Sequence, residues 1–542
     1  MKQYVIGIDY GTLSARALLV NLADGSEAAE SEFIYPHGVM TDADFNGRSL
    51  DVTDAFQHPQ DYLDALRFTV GDLLSKAEVS SSEVAGIGID FTASTILPVG
   101  DNKMPLCFDE AYRNEPQAYV KLWKHHSAQR EADEINALAA ERGESWLDIY
   151  GGKISSEWLF PKLIETLRKA PEVYHRADRF VEAVDWLTCL LTGEEVISAC
   201  TAGYKGLWSK DAGYPSNEFW GAIDPRLEDV IGSKIRGEIL PTGTRAGVLN
   251  EQGAALIGLE VGCAVAVPII DAHAALPASG IVSDKKLMMI IGTSTCHIVM
   301  SRENHPVPGI CGSVADGVIA GYTAYEAGQS CVGDSFDWYM KNCLPASYEE
   351  AAKAEGKSIF AYMDEKAAKS KVGESGILIL DWWNGSRTPY VDAELTGTIL
   401  GLTLKTTPEE IYRGMIESTA YGTKVIVDLF TEHGVEIDEI YAAGGISQKN
   451  QLLMQIYADV LGLPIKAVNC RQAGAKGSAV MAAAACGYFD SVEAAAERIA
   501  DREGYVYVPD PANTKAYEKI YCQYRELAEY FAKKNDVMKK LK

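Results

Sequence analysis

The stretch Tyr4-Val5-Ile6-Gly7-Ile8-Asp9-Tyr10-Gly11-Thr12-Leu13-Ser14-Ala15-Arg16-Ala17-Leu18-Leu19-Val20-Asn21 reads as two apolar runs around a polar turn. Tyr4 to Ile8 and Arg16 to Asn21 are rich in Val, Ile and Leu, and Gly11-Thr12 lies between them. A β-hairpin is expected. The same order returns far downstream: Lys286 to Ile291, the turn Gly292-Thr293-Ser294-Thr295, then His297 to Ser301. Two copies of strand, Gly-Thr-x-Ser/Thr and strand predict a mixed α/β chain in two similar halves, joined near 275–285. The expected division is an N-terminal lobe over 1–282 and a C-terminal lobe over 283–542.

Around the first hairpin, a third strand is expected near Glu32 to Tyr35. A helix over 61–76 presents Leu63, Leu66, Val70 and Leu73-Leu74 on one face, and Val84 to Asp90 reads as a buried strand. Residues 115–142 and 157–169 look helical. Around the second hairpin, the pattern gives a helix over 407–430, a strand from Glu439 to Ala443 and a helix over 449–462. A strand from Ile465 to Val468, an alanine-rich helix over 475–486 and an amphipathic tail helix over 513–540 follow.

The chain has 542 residues, 47% hydrophobic and 23% charged, which excludes a disordered chain or a fibre. Its net charge of −26 repels phosphate backbones and anionic lipid, so neither nucleic acid nor membrane is expected as a partner. An anionic ligand would need amides, a cation or a metal to override that field locally. The eleven cysteines include no C-x-x-C pair, and Cys189, Cys263 and Cys486 lie in apolar or Ala-rich contexts. They read as reduced core residues of a soluble cytoplasmic protein. The apolar opening meets Asp9 too early for a secretory signal.

Three segments can carry chemistry. Asp9-Tyr10-Gly11-Thr12-Leu13-Ser14-Ala15-Arg16 aims amides and hydroxyls outward and could hold phosphate oxygens without a Walker lysine, with Asp9 placed for a hydrated Mg²⁺. An ordinary hairpin turn is the alternative, and its recurrence at Gly292–Thr295 counts against it. Gly444-Gly445-Ile446-Ser447, with Lys449 and Asn450 following, ends a strand and opens a helix. That suits a nucleotide phosphate, or a plain strand–helix turn. Asp271, at the end of Pro268-Ile269-Ile270, is either a helix cap or a general base in a cleft. His273 reads as structural. Gly356-Lys357-Ser358 only imitates a P-loop, because no strand precedes it and the first glycine position is Ala351.

Taken together, Asp9-x-Gly11-Thr12-x-Ser14-x-Arg16, Asp271, Gly292-Thr293-Ser294-Thr295 and Gly444-Gly445 resemble the FGGY carbohydrate kinases of the actin, hexokinase and heat-shock-chaperone superfamily. Further matches are Lys153-Ile154-Ser155-Ser156-Glu157-Trp158-Leu159-x-Pro161-Lys162, Asp185-Trp186-Leu187, Leu191-Thr192-Gly193 and Gly397-x-x-x-Gly401-Leu402. The resemblance covers essentially the whole chain. It implies an α/β fold of two actin/hexokinase-like (ribonuclease H-like) lobes with an interlobe active-site cleft.

The implied activity is ATP-dependent phosphorylation of a ketopentose, L-ribulose first. D-ribulose, another ketose or a polyol is the alternative, and a non-kinase ATPase of the superfamily a more distant one. The resemblance places Ala93, Trp123, Lys205, Asp271 and Glu326 at the sugar, with Asp271 as catalytic base. It places Gly11, Thr12, Ser14, Arg16, Gly292, Thr293, Gly333, Gly444, Gly445 and Asn450 at the nucleotide, and Asp9 on Mg²⁺ through water. ATP, Mg²⁺ and a small sugar are the implied ligands, and a homodimer stands open beside a monomer.

Overall fold

The computed structural model describes residues 2–541, and the chain divides into two compact units. The first comprises Met1–Val282, Ser313–Ala324 and Cys470–Asp501; the second comprises Ser283–Gly312, Tyr325–Asn469 and Arg502–Lys542. The first unit takes in two later segments, so neither unit is one continuous stretch of chain.

In the first unit, the hairpin Tyr4–Tyr10/Ser14–Asn21 is the middle of a larger sheet. Glu27–Ile34 pairs antiparallel on one side, Val84–Phe91 parallel on the other, and Ala264–Ala266 and Arg245–Val248 follow. Successive side chains of a strand face opposite sides. Ile6, Ile8 and Tyr10 turn towards the helix Pro59–Ala77, packing with Tyr62, Leu66, Val70, Ile87 and Ile89 in one buried core. Gly7 and Asp9 therefore take the other face, in register with Gly88 and Asp90.

On that face lies the alanine-rich helix Ala473–Ala485. A Cβ on Gly7 would fall on the carbonyl oxygen of Ala475, and one on Gly88 on that of Ser478. Bare glycines thus let this helix lie backbone-to-backbone on the strands. A smaller sheet of Phe56–Gln57, Val120–Lys121, Ile96–Val99 and Arg179–Glu182 completes the unit with its own apolar core.

The second unit repeats the opening. Lys286–Ile291 and Thr295–Ser301 form the hairpin, Glu439–Ala443 runs parallel beside it, and Ile465–Val468 and Gly504–Tyr507 extend the sheet. The helix Pro408–Glu432 and the tail helix Pro511–Glu529 cover it. Tyr517, Tyr521 and Tyr524, one face of the tail helix, donate to Glu417, Asp428 and Asp381, so the tail is anchored on its own unit.

Two expected elements differ: the helix over 115–142, and the tail helix over 513–540, whose α-helical part ends at Glu529 before a π-helical turn and a separate short helix, Val537–Lys540. Of 115–142, only Gln129–Arg142 is helical. Pro116 and the run Tyr119-Val120-Lys121-Leu122 divert the preceding chain into a 3₁₀ turn and a short strand. The helix expected over 449–462 is Gln451–Leu461, capped by Asn450, and a separate short helix, Gly445–Lys449, precedes it. The apparent P-loop is ordinary surface: Lys357 pairs with Glu355 and Glu365, and Ser358 caps the helix Ile359–Ala367.

Candidate active site

Side chains directly opposite across neighbouring strands share a face. Register places Glu32, Arg16, Asp9 and Asp90 in one row across the first sheet, each opposite the next. Arg16 donates from Nε to Glu32 (3.1 Å), and Ser14 donates to the same carboxylate (3.0 Å). Asp90 is fully buried and accepts from the Ser478 hydroxyl at 2.7 Å. Burial and the charges of Asp9 and Asp271 push its carboxyl well above the usual range, and a side-chain hydrogen bond joins it to Asp9. Burial also raises Asp9, opposed by that hydrogen bond and by Arg16. A Cβ on Gly474 would stand 2.7 Å from the Asp9 carboxyl carbon, so the N-terminal end of the alanine-rich helix closes directly over the pair.

Asp271 emerges one residue past Ile269–Ile270, which pairs with Asp90-Phe91, and opens the helix Asp271–Ala278. Its Oδ1 accepts the Ala272 N–H at 2.7 Å. Three carboxyl groups thus gather at the C-terminal edge of three parallel strands. His273 is buried, its ring 4.3 Å from that of Tyr204.

At the turn, Gly11 N–H closes on the Ser14 carbonyl. The Thr12 carbonyl accepts from Gln57 (2.6 Å) and its Oγ1 from the Trp123 indole N–H (3.1 Å). Trp123, half-exposed, is therefore tied to the hairpin turn. Ala93 lies on the bend after Val84–Phe91, where Ser94 adopts a left-handed φ of 54°. Lys205 ends the helix Ala199–Lys205 with its ammonium 5.5 Å from the centre of the Trp158 ring. Asp185 steadies that helix by accepting from the Ser198 N–H and the Thr201 hydroxyl; burial pushes its carboxyl up to about 8.

In the second unit, Gly292, Thr293, Gly333, Gly444 and Gly445 converge. Val332 and Gly333 donate their N–H groups to the carbonyls of Thr293 and Gly292. A Cβ on Gly333 would meet the Gly292 oxygen at 2.6 Å and Ile446 at 2.8 Å. Gly444, at φ 98°, leaves no room for a Cβ beside the Ile291 carbonyl. These glycines let the loops pack backbone to backbone at the end of the second hairpin. Asn450 sits beside it with its side chain committed: Oδ1 accepts from Leu453 N–H, and Nδ2 donates to Asp364 (3.0 Å) and Tyr412. Glu326 is buried on the strand Thr323–Gln329 of this region.

Sequence reasoning singled out Asp9 and Asp271 but passed over Asp90, although it too ends an apolar run, Val84-Ala85-Gly86-Ile87-Gly88-Ile89. It also passed over Glu32 and Ser478, whose roles depend on register and on a helix nearly 400 residues away in sequence.

Residues 4–277 match the N-terminal domain, and 287–486 the C-terminal domain, of the FGGY family of carbohydrate kinases. The chain is 49% identical over 548 residues to a ribulokinase of Shouchella clausii, covering 100% of this chain and 98% of that one. It is also 49% identical over 547 residues to a ribulokinase of Geobacillus thermodenitrificans, covering 100% and 97%. Among solved structures, xylulose kinase from Rhodospirillum rubrum superimposes with a TM-score of 0.81 at 23% identity, covering 97% of this chain and 99% of that chain. Its two-domain actin/hexokinase-like fold is the fold seen here. Matched over most of its length in both halves, the chain belongs to the FGGY family of carbohydrate kinases.

Proposed function

We propose that this carbohydrate kinase transfers the γ-phosphoryl group of ATP to the 5-hydroxyl of ribulose, with L-ribulose as the preferred isomer. The observation that carries the reading is its near half identity, end to end, with relatives named ribulokinase. The held carboxylate of Asp271 supplies the chemistry that such a transfer needs. Asp271 takes the proton of the hydroxyl as that oxygen bonds to the γ-phosphorus and the bond to the β–γ bridging oxygen breaks, releasing ADP. Phosphoryl transfer otherwise asks mainly for positioning and charge stabilisation.

In the first unit, Thr12 donates to phosphate oxygens, Ser14 and Arg16 turn from Glu32 to the anion, and Ala93, Trp123 and Lys205 receive the sugar. In the second unit, Glu326 bonds a sugar hydroxyl, while Gly292, Thr293, Gly333, Gly444 and Gly445 carry the nucleotide, with Asn450 shaping their edge. The hard oxygen donors around Asp9 suit Mg²⁺, which would neutralise phosphate charge there, with Asp9 holding it through water. The deciding experiment is a coupled ADP-release assay with L-ribulose, D-ribulose, D-xylulose and glycerol in parallel. The reading expects the highest kcat/KM on L-ribulose, and turnover on another acceptor exceeding that on both ribuloses overturns it.

A further inference from the structure

Beneath the bend that carries Ala93 and the strand that leads to Trp123 lies a buried polar cluster with no place in the chemistry described so far. Its centre is Lys162 on the helix Leu159–Lys169, 1% exposed. The Lys162 ammonium donates to two backbone carbonyls at once, that of Ser94 (2.6 Å) and that of Leu122 (2.6 Å). Ser94 immediately follows Ala93, and Leu122 immediately precedes Trp123.

The peptide joining Ser94 to Thr95 is gripped from both ends. Its carbonyl accepts from Lys162, and its N–H donates to the buried Glu182 at 2.9 Å. Such a grip holds Ser94 in its left-handed conformation, which an ordinary side chain resists. The same helix is bound to the Trp123 segment in the opposite sense. Lys121 donates to the carbonyl of Lys162 (2.8 Å), to Glu165 (2.7 Å) and to the Thr166 hydroxyl (2.7 Å). His125, whose Nδ1 accepts the Ala55 N–H, donates from Nε2 to Glu165 (2.8 Å). Burying two lysines and two glutamates is costly unless the arrangement fixes something. What it fixes is a pair of chain segments otherwise far apart in sequence.

We infer that Lys162 is a positioning residue for the sugar site, clamping the Ala93 bend and the Trp123 segment to one helix so that both present a single preset surface to the substrate. The inference rests on the proposed placement of Ala93 and Trp123 at the sugar. Through the Trp123–Thr12 hydrogen bond, the clamp also reaches the hairpin turn. Lys162 touches no reacting atom in this scheme. Its effect is carried by Ser94 and Leu122.

The test uses Lys162→Met, which keeps length and loses the donors, and Lys162→Arg, which keeps charge and donors with altered reach and so folds if Met does not. For each variant, the KM for ribulose, the KM for ATP and the amide exchange of 91–99 and 119–125 are measured against wild type. The expected result is faster exchange in both segments together, a ribulose KM raised on the order of tenfold or more, and an ATP KM within about twofold. A folded variant with unchanged exchange in these segments, or with both KM values rising in proportion, overturns the inference. If exchange rises as expected but wild type turns over no ribulose, the clamp stands and the substrate reading falls.

Discussion

Asp271 stands at the head of a helix with its Oδ1 accepting the Ala272 N–H, and the proposed transfer asks this carboxyl to accept a proton. Asp271→Asn keeps the shape and loses the proton acceptor. Turnover is expected to fall ~10²-fold or more with nucleotide affinity retained, and a variant within about threefold of wild type would take Asp271 out of the role. His297 makes a second residue-scale case. It is fully buried, and its Nε2 faces the Thr423 hydroxyl (3.3 Å), which itself donates to Gln329. Burial pushes its pKa down to about 3. The unfolded chain therefore binds more protons than the folded one between pH 6.5 and 3. The stabilising contribution is full above 6.5 and is lost as pH falls through that window. His297→Gln should flatten the loss of stability between pH 7 and 4 by roughly 2–3 kcal/mol; parallel acid profiles for the two proteins would refute this. Asp9 and Asp271 were legible in the sequence because a carboxylate ending an apolar run is conspicuous. Lys162 was visible only as part of a motif, since its partners are backbone carbonyls 68 and 40 residues away and no side-chain pattern marks them.

Among elements, the two hairpins were the most readable part of the chain, and Lys286–Ile291, Glu439–Ala443 and Ile465–Val468 fall where the apolar runs begin and end. Less readable was anything set by what lies across from it. The short strand Val120–Lys121 exists because Phe56–Gln57 and Ile96 pair with it, and the helices flanking Asn450 are separated by a single side-chain cap. Gly7 was seen as one apolar-strand residue among others, yet its missing side chain sets the seat of the helix Ala473–Ala485. Gly7→Ala forces strand and helix apart at a backbone contact that cannot yield by a rotamer change. A loss of about 3 kcal/mol or more, or insoluble protein, is expected in denaturant unfolding. A variant as stable as wild type would mean that the helix is not seated on that strand.

For the whole molecule, the charge of −26 and the proposed anionic substrate pull in opposite directions. Raising ionic strength from about 0.01 M to about 0.15 M shortens the Debye length from about 30 to about 8 Å and screens the repulsion. The KM for ATP, at saturating Mg²⁺, should fall over that range while that for neutral ribulose stays within about twofold; an ATP KM that rises with salt would contradict the account. The doubling of the α/β pattern was plain from the repeated turn. That Cys470–Asp501 goes back to the first unit was not, because nothing in an alanine-rich helix states which sheet it will cover.

That return has a consequence for biosynthesis. The ribosome makes the glycine-faced strands first and the helix that roofs them only after residue 470. Until then the nascent sheet keeps one side open to water, with Gly7, Gly88 and the Asp9–Asp90 pair uncovered. A message cut short before that point yields a product with an unfinished first unit, so maturation of that unit waits on the synthesis of Cys470–Asp501.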